Sequence, residues 1–239
     1  MCGEGTRTSR LGPCKPLVSI KGKAIIEHFL EGICHLVARG DEVIYIFRED
    51  HDKAYDLGRK VFLAHQRYLP DTRICTVTAE MKTEGPADTV RLSAKDLNQT
   101  NQIIIINHDQ VIDFCLPPLL DNTNIYIPVS FDFTGKSSYV SISDDHRIVQ
   151  IAEKQLISFY ASAGVYVFPN KAMLQRALDM DYRATIKELK TSEIYVSHLV
   201  QNTIDSQGGC EVLPLEVYKK YDLGNCESIE RFKSTLRSY

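Results

Sequence analysis

The sequence predicts an α/β fold of three layers, α/β/α, whose mixed, mainly parallel central sheet carries an inserted antiparallel portion. Short β-branched runs alternate with stretches of helical spacing, which is typical of strands connected by helices. The run at 102–107 is apolar throughout its middle, as expected for a strand buried on both faces. No linker rich in Pro, Gly or Ser divides the 239 residues. We therefore predict a single domain over residues 1–239.

The first half of the chain alternates regularly between strand and helix. Residues 42–47 (EVIYIF) are short and β-branched and predict a strand, and residues 52–65 have apolar side chains at helical spacing. Residues 73–78 (RICTVT) predict the next strand and 89–97 the next helix. The strand at 102–107 (QIIIIN) follows.

The second half is less regular and supplies the antiparallel portion. Four short runs separated by turns predict strands at 124–131, 138–142, 148–152 and 163–168. Helical spacing predicts helices at 171–178, 193–204 and 228–236, and a late strand is expected at 211–215.

Composition excludes several classes of protein. Hydrophobic residues make up 44% and charged residues 25% of the chain, which is ordinary for a globular protein. A net charge of −3 without a basic tract argues against a nucleic-acid surface. No apolar stretch approaches the length of a membrane span, and no apolar run follows the first arginines as in a signal peptide. The seven cysteines show no C-x-x-C spacing, so we expect a reducing, cytoplasmic location.

A glycine-rich turn near the start is the first candidate for a ligand site. In residues 3–7 (GEGTR), Gly3 and Gly5 permit close approach of backbone N–H groups to an anion, while Arg7 and the later Lys15 add positive charge. This pattern suits a polyphosphate, although a glycine-rich turn near a terminus is more often only a turn. The spacing is not that of a Walker loop.

A carboxylate at a strand end is the second candidate. Asp109 follows the apolar strand at 102–107, and ligands of open parallel sheets collect beyond the carboxyl ends of strands. Mg²⁺ prefers one or two carboxylates together with substrate phosphates. The alternative is that Asp109 caps the next turn. His108 is interpreted as a spacer because no second His or Cys stands at ligand spacing.

The order of these segments along the chain resembles that of the sugar-phosphate nucleotidylyltransferases, or NDP-sugar pyrophosphorylases, of the capsule and cell-surface polysaccharide type. The resemblance covers nearly the whole chain. Six segments carry it: GEGTR at 3–7, KPL with IKGK at 15–23, EGPADTV at 84–90, NHDQ at 107–110, EK with IS and AGVYVF at 153–168, and DLG with Glu227 and Phe232.

The resemblance implies a Rossmann-like (GT-A) nucleotide-binding domain and a Mg²⁺-dependent enzyme. The reaction would join an NTP and a sugar 1-phosphate, or a similar small phosphomonoester, to give an NDP-sugar and pyrophosphate. The implied roles are nucleotide binding for Gly3, Gly5, Thr6, Glu84 and Gly85, catalysis for Arg7 and Lys15, metal binding for Asp109 and Asp222, and acceptor binding for Glu153, Lys154 and Gly164.

The resemblance also limits the expected partners. It favours a pyrimidine NTP and a small phosphorylated acceptor, with no nucleic acid and no membrane, and a homo-oligomer is compatible with the sequence. Other interpretations stay open: a cytidylyltransferase acting on a non-sugar phosphate, or an inactive nucleotide-binding regulatory subunit. A glycosyltransferase of similar fold is disfavoured because Asp109 is not part of a D-x-D sequence.

The sequence departs from the family pattern at the start of the chain and at Asn225, where threonine is usual. Relatives have a buried strand before the glycine turn, whereas Met1 and Cys2 alone precede Gly3 here. We expect the sheet to lack that strand or to fill its place with a neighbouring chain or a compensating segment. An apolar extension upstream is expected to raise stability and nucleotide affinity.

Overall fold

The computed structural model describes residues 1–2, 8–99, 101–116, 122–179, 193–206 and 209–236. The chain divides into two compact units. The first comprises Met1–Lys82, Asn107–Asp113 and Tyr218–Tyr239, and the second comprises Thr83–Ile106 and Phe114–Val217. The single domain over residues 1–239 stays a prediction.

In the described residues, helices lie between most strands in the first part of the chain, and a run of consecutive strands follows in the middle. The strands are β1 Ser19–Ile20, β2 Lys23–Ala24, β3 Glu42–Arg48, β4 Arg73–Ala79, β5 Ile103–Ile106, β6 Gln110–Phe114, β7 Ile125–Phe131, β8 Ser138–Ile142, β9 Ile148–Glu153, β10 Tyr160–Ser162, β11 Val165–Phe168 and β12 Val212–Asp222. The helices are α1 Ile25–Ile33, α2 Glu49–Tyr55, α3 Leu57–Tyr68, α4 Pro86–Ser93, α5 Lys171–Asp179, α6 Val196–Asp205 and α7 Cys226–Thr235.

In the first unit, a parallel strand pair and a small apolar core hold the segments of interest. β3 and β4 pair in parallel, and helices α2 and α3 lie in the connection between them. The described end of β12 and helix α7 pack with the region around α1 in one cluster of buried side chains, which contains Val18, Ile20, Ile25, Leu223, Ile229 and Phe232. Because Leu223 is fully buried in this cluster, the position of the adjacent Asp222 is well defined.

The second unit is built on a six-strand path with the order β5-β11-β7-β10-β8-β9, and the start of β12 pairs in parallel with β7. Its core lies between these strands and the helices α5 and α6. Leu174 and Leu178 come from α5, and Leu199 and Val200 come from α6; all four are buried. Burial of this apolar face is the main stabilising contribution to the unit.

The structure confirms a mixed α/β fold but differs from the expectation of a mainly parallel sheet. Along the path in the second unit, the described strand pairs are antiparallel, and β12 with β7 is the parallel pair. The physical reason lies in the connections. Only two to six residues join successive strands from β7 to β11, whereas a parallel pair needs a crossover of a dozen residues or more.

Local departures from the predicted elements have identifiable causes. The helix predicted at 52–65 is divided into α2 and α3 at Asp56, which adopts a left-handed conformation with φ of 53°. Asp tolerates this region better than most residues, and the N–H of Gly58 donates to Asp52 Oδ1 at 2.7 Å, which stabilises the break. Strand β6 was not predicted. No helix in the described part of the chain has the length and apolar character required to cross a membrane.

Candidate functional site

Lys15 and Asp109, which the sequence places in separate motifs, form an ion pair in the first unit. Lys15 begins a single 3₁₀ turn, Lys15–Leu17, and Asp109 follows β5 and precedes β6. The distance from Lys15 Nζ to Asp109 Oδ2 is 2.5 Å, and the side chains are 14% and 29% exposed. Burial has the largest effect and raises the pKa of Asp109, but the Lys15 ammonium, with smaller contributions that include the hydrogen bonds the carboxylate accepts, holds the pKa below its ordinary value. The pair is therefore charged at neutral pH.

Asp222 lies beside Asp109 because the two segments share a backbone hydrogen bond. The N–H of Leu223 donates to the carbonyl oxygen of Asp109 at 2.7 Å. The N–H of Gly224 donates to Asp222 Oδ1 at 2.8 Å, and the Ser228 hydroxyl donates to Asp222 Oδ2 at 3.1 Å. The Asp222 carboxylate is thus oriented by the turn that leads into α7.

Gly224 shows how closely the two carboxylates converge. A Cβ atom added to Gly224 would lie 2.8 Å from Asp222 Oδ1 and 3.4 Å from Asp109 Oδ2. Both oxygens therefore approach the same point beside the glycine. We refer to Asp109, Asp222 and Lys15 as the carboxylate site.

The donor set of the carboxylate site fits Mg²⁺. This ion binds through one or two carboxylates and takes its other ligands from water and substrate phosphates. Within the described ranges, no cluster of three or more His, Cys, Asp or Glu side chains is placed to hold a metal ion. The site is thus unlike a closed structural zinc centre, which takes four protein ligands.

His108 adjoins the carboxylate site, although the sequence interpretation treated it as a spacer. Its Nε2 atom is inaccessible and has no hydrogen-bond partner among the described residues. Burial lowers its pKa, and the neighbouring positive charges of the Met1 amino group and Lys15 lower it further, against the effect of Asp109. His108 is therefore neutral at physiological pH. The sequence has no second His or Cys at ligand spacing from His108, so it did not indicate that the Nε2 atom of His108 would be buried here.

In the second unit, Gly85 packs directly against the backbone of Ile194. Its φ is 142°, and an added Cβ would lie 2.5 Å from the oxygen and 2.6 Å from the nitrogen of Ile194. Ile194 N donates to the Glu84 oxygen at 2.8 Å, and Ala87 N donates to the Ile194 oxygen at 2.9 Å. This close contact requires glycine at position 85. The proposed contribution of Glu84 and Gly85 to nucleotide binding stays a prediction.

Glu153 is the last residue of β9 and is a buried, hydrogen-bonded carboxylate. Its Oε2 accepts hydrogen bonds from the hydroxyls of Ser138 and Ser197, the latter at 2.9 Å. The side chain is 5% exposed. Two hydroxyl donors compensate for the loss of hydration that burial imposes on the carboxylate.

The next residue, Lys154, places its ammonium against an aromatic ring. Lys154 has a φ of 54°, and its Nζ donates to the hydroxyl of Tyr195 while lying 4.3 Å from the centre of that ring. Tyr195 is absent from the sequence motifs, and its partner is 41 residues away in the chain, so no local pattern predicts the contact.

Gly164, the third predicted acceptor residue, lies in the turn between β10 and β11. It has a φ of 71°, and its N–H donates to Ser162 Oγ at 3.1 Å. Glycine suits this left-handed position.

The structure thus places the predicted site residues in two groups. Lys15, Asp109 and Asp222 meet in the first unit. In the second unit, Glu84 is hydrogen-bonded to the backbone of Ile194, and Gly85 packs against it. The next residue, Tyr195, contacts Lys154. Gly3, Gly5, Thr6 and Arg7 lie outside the described residues.

The chain belongs to the Nucleotidyl transferase family, whose model matches residues 2–238. It is accordingly a transferase. Comparison with curated proteins gives no match.

Solved structures share the fold across their length. The chain resembles a nucleoside-diphosphate-sugar pyrophosphorylase from Vibrio cholerae RC9, with 21% identity, 98% of each chain covered and a TM-score of 0.80. It also resembles a UDP-glucose pyrophosphorylase complexed with UDP-glucose, with 13% identity, 98% of this chain and 94% of that chain covered, and a TM-score of 0.74. An inositol-1-phosphate CTP transferase from T. maritima matches with 18% identity, coverage of 99% and 95%, and a TM-score of 0.68. At these identities the likeness shows the fold alone.

Proposed function

We propose that this protein is a Mg²⁺-dependent nucleotidylyltransferase that joins an NTP to a small phosphomonoester and releases pyrophosphate. The convergence of Asp109 and Asp222 on one point beside Gly224 is the observation that carries the proposal. Mg²⁺ bound there would neutralise phosphate charge on the NTP. A sugar 1-phosphate acceptor and a pyrimidine nucleotide are the preferred substrates, as in the nucleotide-sugar supply of capsule and cell-surface polysaccharides.

The reaction needs no nucleophile from the protein. An oxygen of the acceptor phosphate attacks the α-phosphorus of the NTP, a new P–O bond forms, and the bond to the β-phosphate oxygen breaks to release pyrophosphate. In this proposal Lys15 and Arg7 bind the triphosphate and stabilise the negative charge of the departing pyrophosphate. Asp109 and Asp222 hold the metal ion.

The acceptor is assigned to residues of the second unit. Lys154 binds its phosphate through the ammonium. The Lys154 side chain is 48% exposed, and its backbone N–H donates a hydrogen bond to the carbonyl oxygen of Ser137 at 2.9 Å. Gly164 contributes a turn that admits a close ligand. In this proposal Glu84 and Gly85 border the nucleotide base. All seven cysteines are thiols that form no disulfide, which is consistent with a cytoplasmic location.

A second candidate, a cytidylyltransferase acting on a non-sugar phosphate, is favoured by the state of Glu153. A carboxylate that is meant to orient sugar hydroxyls has to reach them, whereas Glu153 is buried and accepts bonds from Ser138 and Ser197. An acceptor without ring hydroxyls, such as phosphocholine, would not depend on Glu153.

The test is a matrix of four NTPs against sugar 1-phosphates, inositol 1-phosphate and phosphocholine, read by pyrophosphate release with Mg²⁺ and with EDTA. We expect one nucleotide and one acceptor class to turn over with Mg²⁺ only. Asp109→Asn should reduce turnover by at least about a hundredfold. Asp113→Asn is the matched control, since Asp113 lies four residues further along the chain, on β6, and is 57% exposed. An absence of turnover across the whole matrix would leave an inactive regulatory subunit as the conclusion.

A further inference from the structure

The ammonium of Lys154 is held by Tyr195 in two ways. It donates a hydrogen bond to the phenol oxygen, and it lies 4.3 Å from the ring centre, within the range of a cation–π interaction. Glu153, the neighbour of Lys154 in sequence, is more distant, with 3.9 Å from its Oε1 to Nζ. Tyr195 therefore defines the position of the ammonium more closely than the adjacent carboxylate does.

Tyr195 is itself fixed by its neighbours. Its hydroxyl donates to Glu193 Oε2 at 2.5 Å, so the phenol oxygen accepts from Lys154 and donates to Glu193. Its backbone N–H donates to Nδ1 of His198 at 3.3 Å, and the His198 ring meets the Tyr195 ring edge to face at 5.7 Å. His198 is 3% exposed on α6, so this contact ties Tyr195 to the core of the unit.

The backbone on the other side of Tyr195 is equally constrained. The backbone of Ile194 is hydrogen-bonded to the backbones of Glu84 and Ala87. It also packs on Gly85 so closely that no side chain fits at position 85. The ring of Tyr195 is thus placed by two separate elements, α6 and the start of α4.

Lys154 also has a fixed backbone. It adopts a left-handed φ of 54°, a conformation that is unfavourable for an L-residue relative to ordinary helical geometry. Strained residues of this kind persist where the surrounding structure determines them, and they are concentrated at functional sites. The backbone and the ammonium of Lys154 are therefore both held, while the side chain stays half-exposed.

We propose that Tyr195 is a positioning residue that presents the Lys154 ammonium to the phosphate of the acceptor. This inference rests on the proposed function, in which Lys154 binds that phosphate. An ammonium has three N–H donors, and Tyr195 takes one of them. A lysine side chain fixed in advance loses less rotamer freedom when an anion binds, which raises affinity without any direct contact between Tyr195 and the acceptor.

Steady-state kinetics with the active substrate pair test the role through KM and kcat. Tyr195→Phe keeps the ring and removes the hydroxyl, so we expect the KM for the acceptor to rise about tenfold, the scale of one charge-assisted hydrogen bond. The KM for the NTP should stay unchanged. Tyr195→Leu removes the ring as well and should raise the acceptor KM further. Tyr160→Phe, an exposed tyrosine in the same unit, serves as the control.

A double variant separates positioning from a general structural role. If Tyr195 acts through Lys154, Tyr195→Phe has no further effect on the acceptor KM in a Lys154→Met background. An equal increase in both backgrounds would overturn the proposal. A lowered melting temperature with an unchanged acceptor KM in Tyr195→Phe would overturn it too.

Chemical labelling provides a test that does not depend on turnover. Acetic anhydride labelling with mass spectrometry should show several-fold faster modification of Lys154 in Tyr195→Phe than in the wild-type protein. Lys136, which is exposed in the same unit, should be unaffected. Inorganic phosphate should protect Lys154 more strongly in the wild-type protein. If the wild-type protein turns over no substrate pair, the proposed function fails, whereas unchanged Lys154 labelling overturns the positioning role.

Discussion

Lys15 and Asp109 are separated by 94 residues in sequence, yet the ammonium of one lies 2.5 Å from the carboxylate of the other. The sequence assigns them to different ligands, a triphosphate and a metal ion. The structure pairs them with each other, so each neutralises a partly buried charge of its neighbour. Removing one partner would leave the other as an unpaired, partly buried charge, which destabilises the folded protein.

The first prediction concerns this pair. Lys15→Met should lower the free energy of unfolding at pH 7 by about 1–3 kcal/mol, because Asp109 is then a half-buried carboxylate without its cation. Lys15→Met with Asp109→Asn should recover most of that loss, although both variants should be inactive. Urea denaturation at pH 7 measures the difference. A double variant no more stable than the single one would contradict the assignment.

The pH dependence of the same pair has a definite sign. The folded-state pKa of Asp109 lies below its ordinary value of 3.8, so the pair stabilises the protein above pH 3.8. This contribution is lost as the pH falls from 3.8 through the folded-state pKa. In Lys15→Met the pKa of Asp109 should rise, because the ammonium no longer opposes the effect of burial, and the stability difference between the two proteins should narrow as the pH falls below 3.8. Melting temperatures of both proteins between pH 3 and 7 test this.

The second prediction concerns Gly224. An alanine there would place Cβ between the carboxylate oxygens of Asp222 and Asp109 and force at least one to move. Side-chain ends move cheaply, so we expect little change in stability but a loss of about 10–100-fold in kcat/KM with the Mg²⁺–NTP complex. Gly40→Ala, in the same unit, is the control, since an added Cβ there has no heavy atom within 4 Å. Wild-type kinetics for Gly224→Ala would contradict convergence on this point.

The third prediction concerns Gly85. Gly85→Ala should cost at least about 3 kcal/mol of unfolding free energy, because the added Cβ would meet the backbone of Ile194, which cannot rotate away. Gly135→Ala separates this clash from backbone strain, since Gly135 has a φ of 72° but no atom within 4 Å of the added Cβ. That variant should cost only about 1 kcal/mol. Denaturant unfolding of the two variants should show this difference, and equal losses would contradict it.

The fourth prediction concerns His198. Burial lowers its pKa, and the positive charge of Lys154 lowers it further, so the folded protein keeps it neutral. Below pH 6.5 the unfolded chain takes up a proton at this position that the folded chain does not, so stability should fall as the pH is lowered. His198→Asn retains an acceptor for the Tyr195 N–H without titrating and should show a weaker decline. An identical decline in both proteins, measured by thermal melts from pH 7 to 5, would contradict the assignment.

Much of the fold could be predicted from local patterns. Strands β3 and β4 appear where β-branched runs stand, since those side chains favour an extended, buried backbone. Strand β6 also had a signal that was not used, because Gln110, Ile112 and Phe114 are buried in alternation. The direction of strand pairing was harder to predict, because it depends on connection length and partner choice rather than on the residues of a strand.

The candidate site was likewise predictable only in part from the sequence. Asp109 was predicted from its place after a strand, and family order indicated Asp222 and Lys154. The contacts of these residues were not predictable, because they join distant parts of the chain. Tyr195 was assigned to a helix predicted at 193–204, yet it precedes α6, where its N–H bonds to His198.

The fixed spacing between Ile194 and His198 limits how this region can change in length during evolution. The backbone of Ile194 is hydrogen-bonded to the backbones of Glu84 and Ala87, and His198 is buried four residues later. An insertion or deletion between them would shift Tyr195 out of reach of Lys154 without removing any residue of the site. We therefore expect homologues that bind the same acceptor to vary in the identity of exposed residues here while conserving the number of residues.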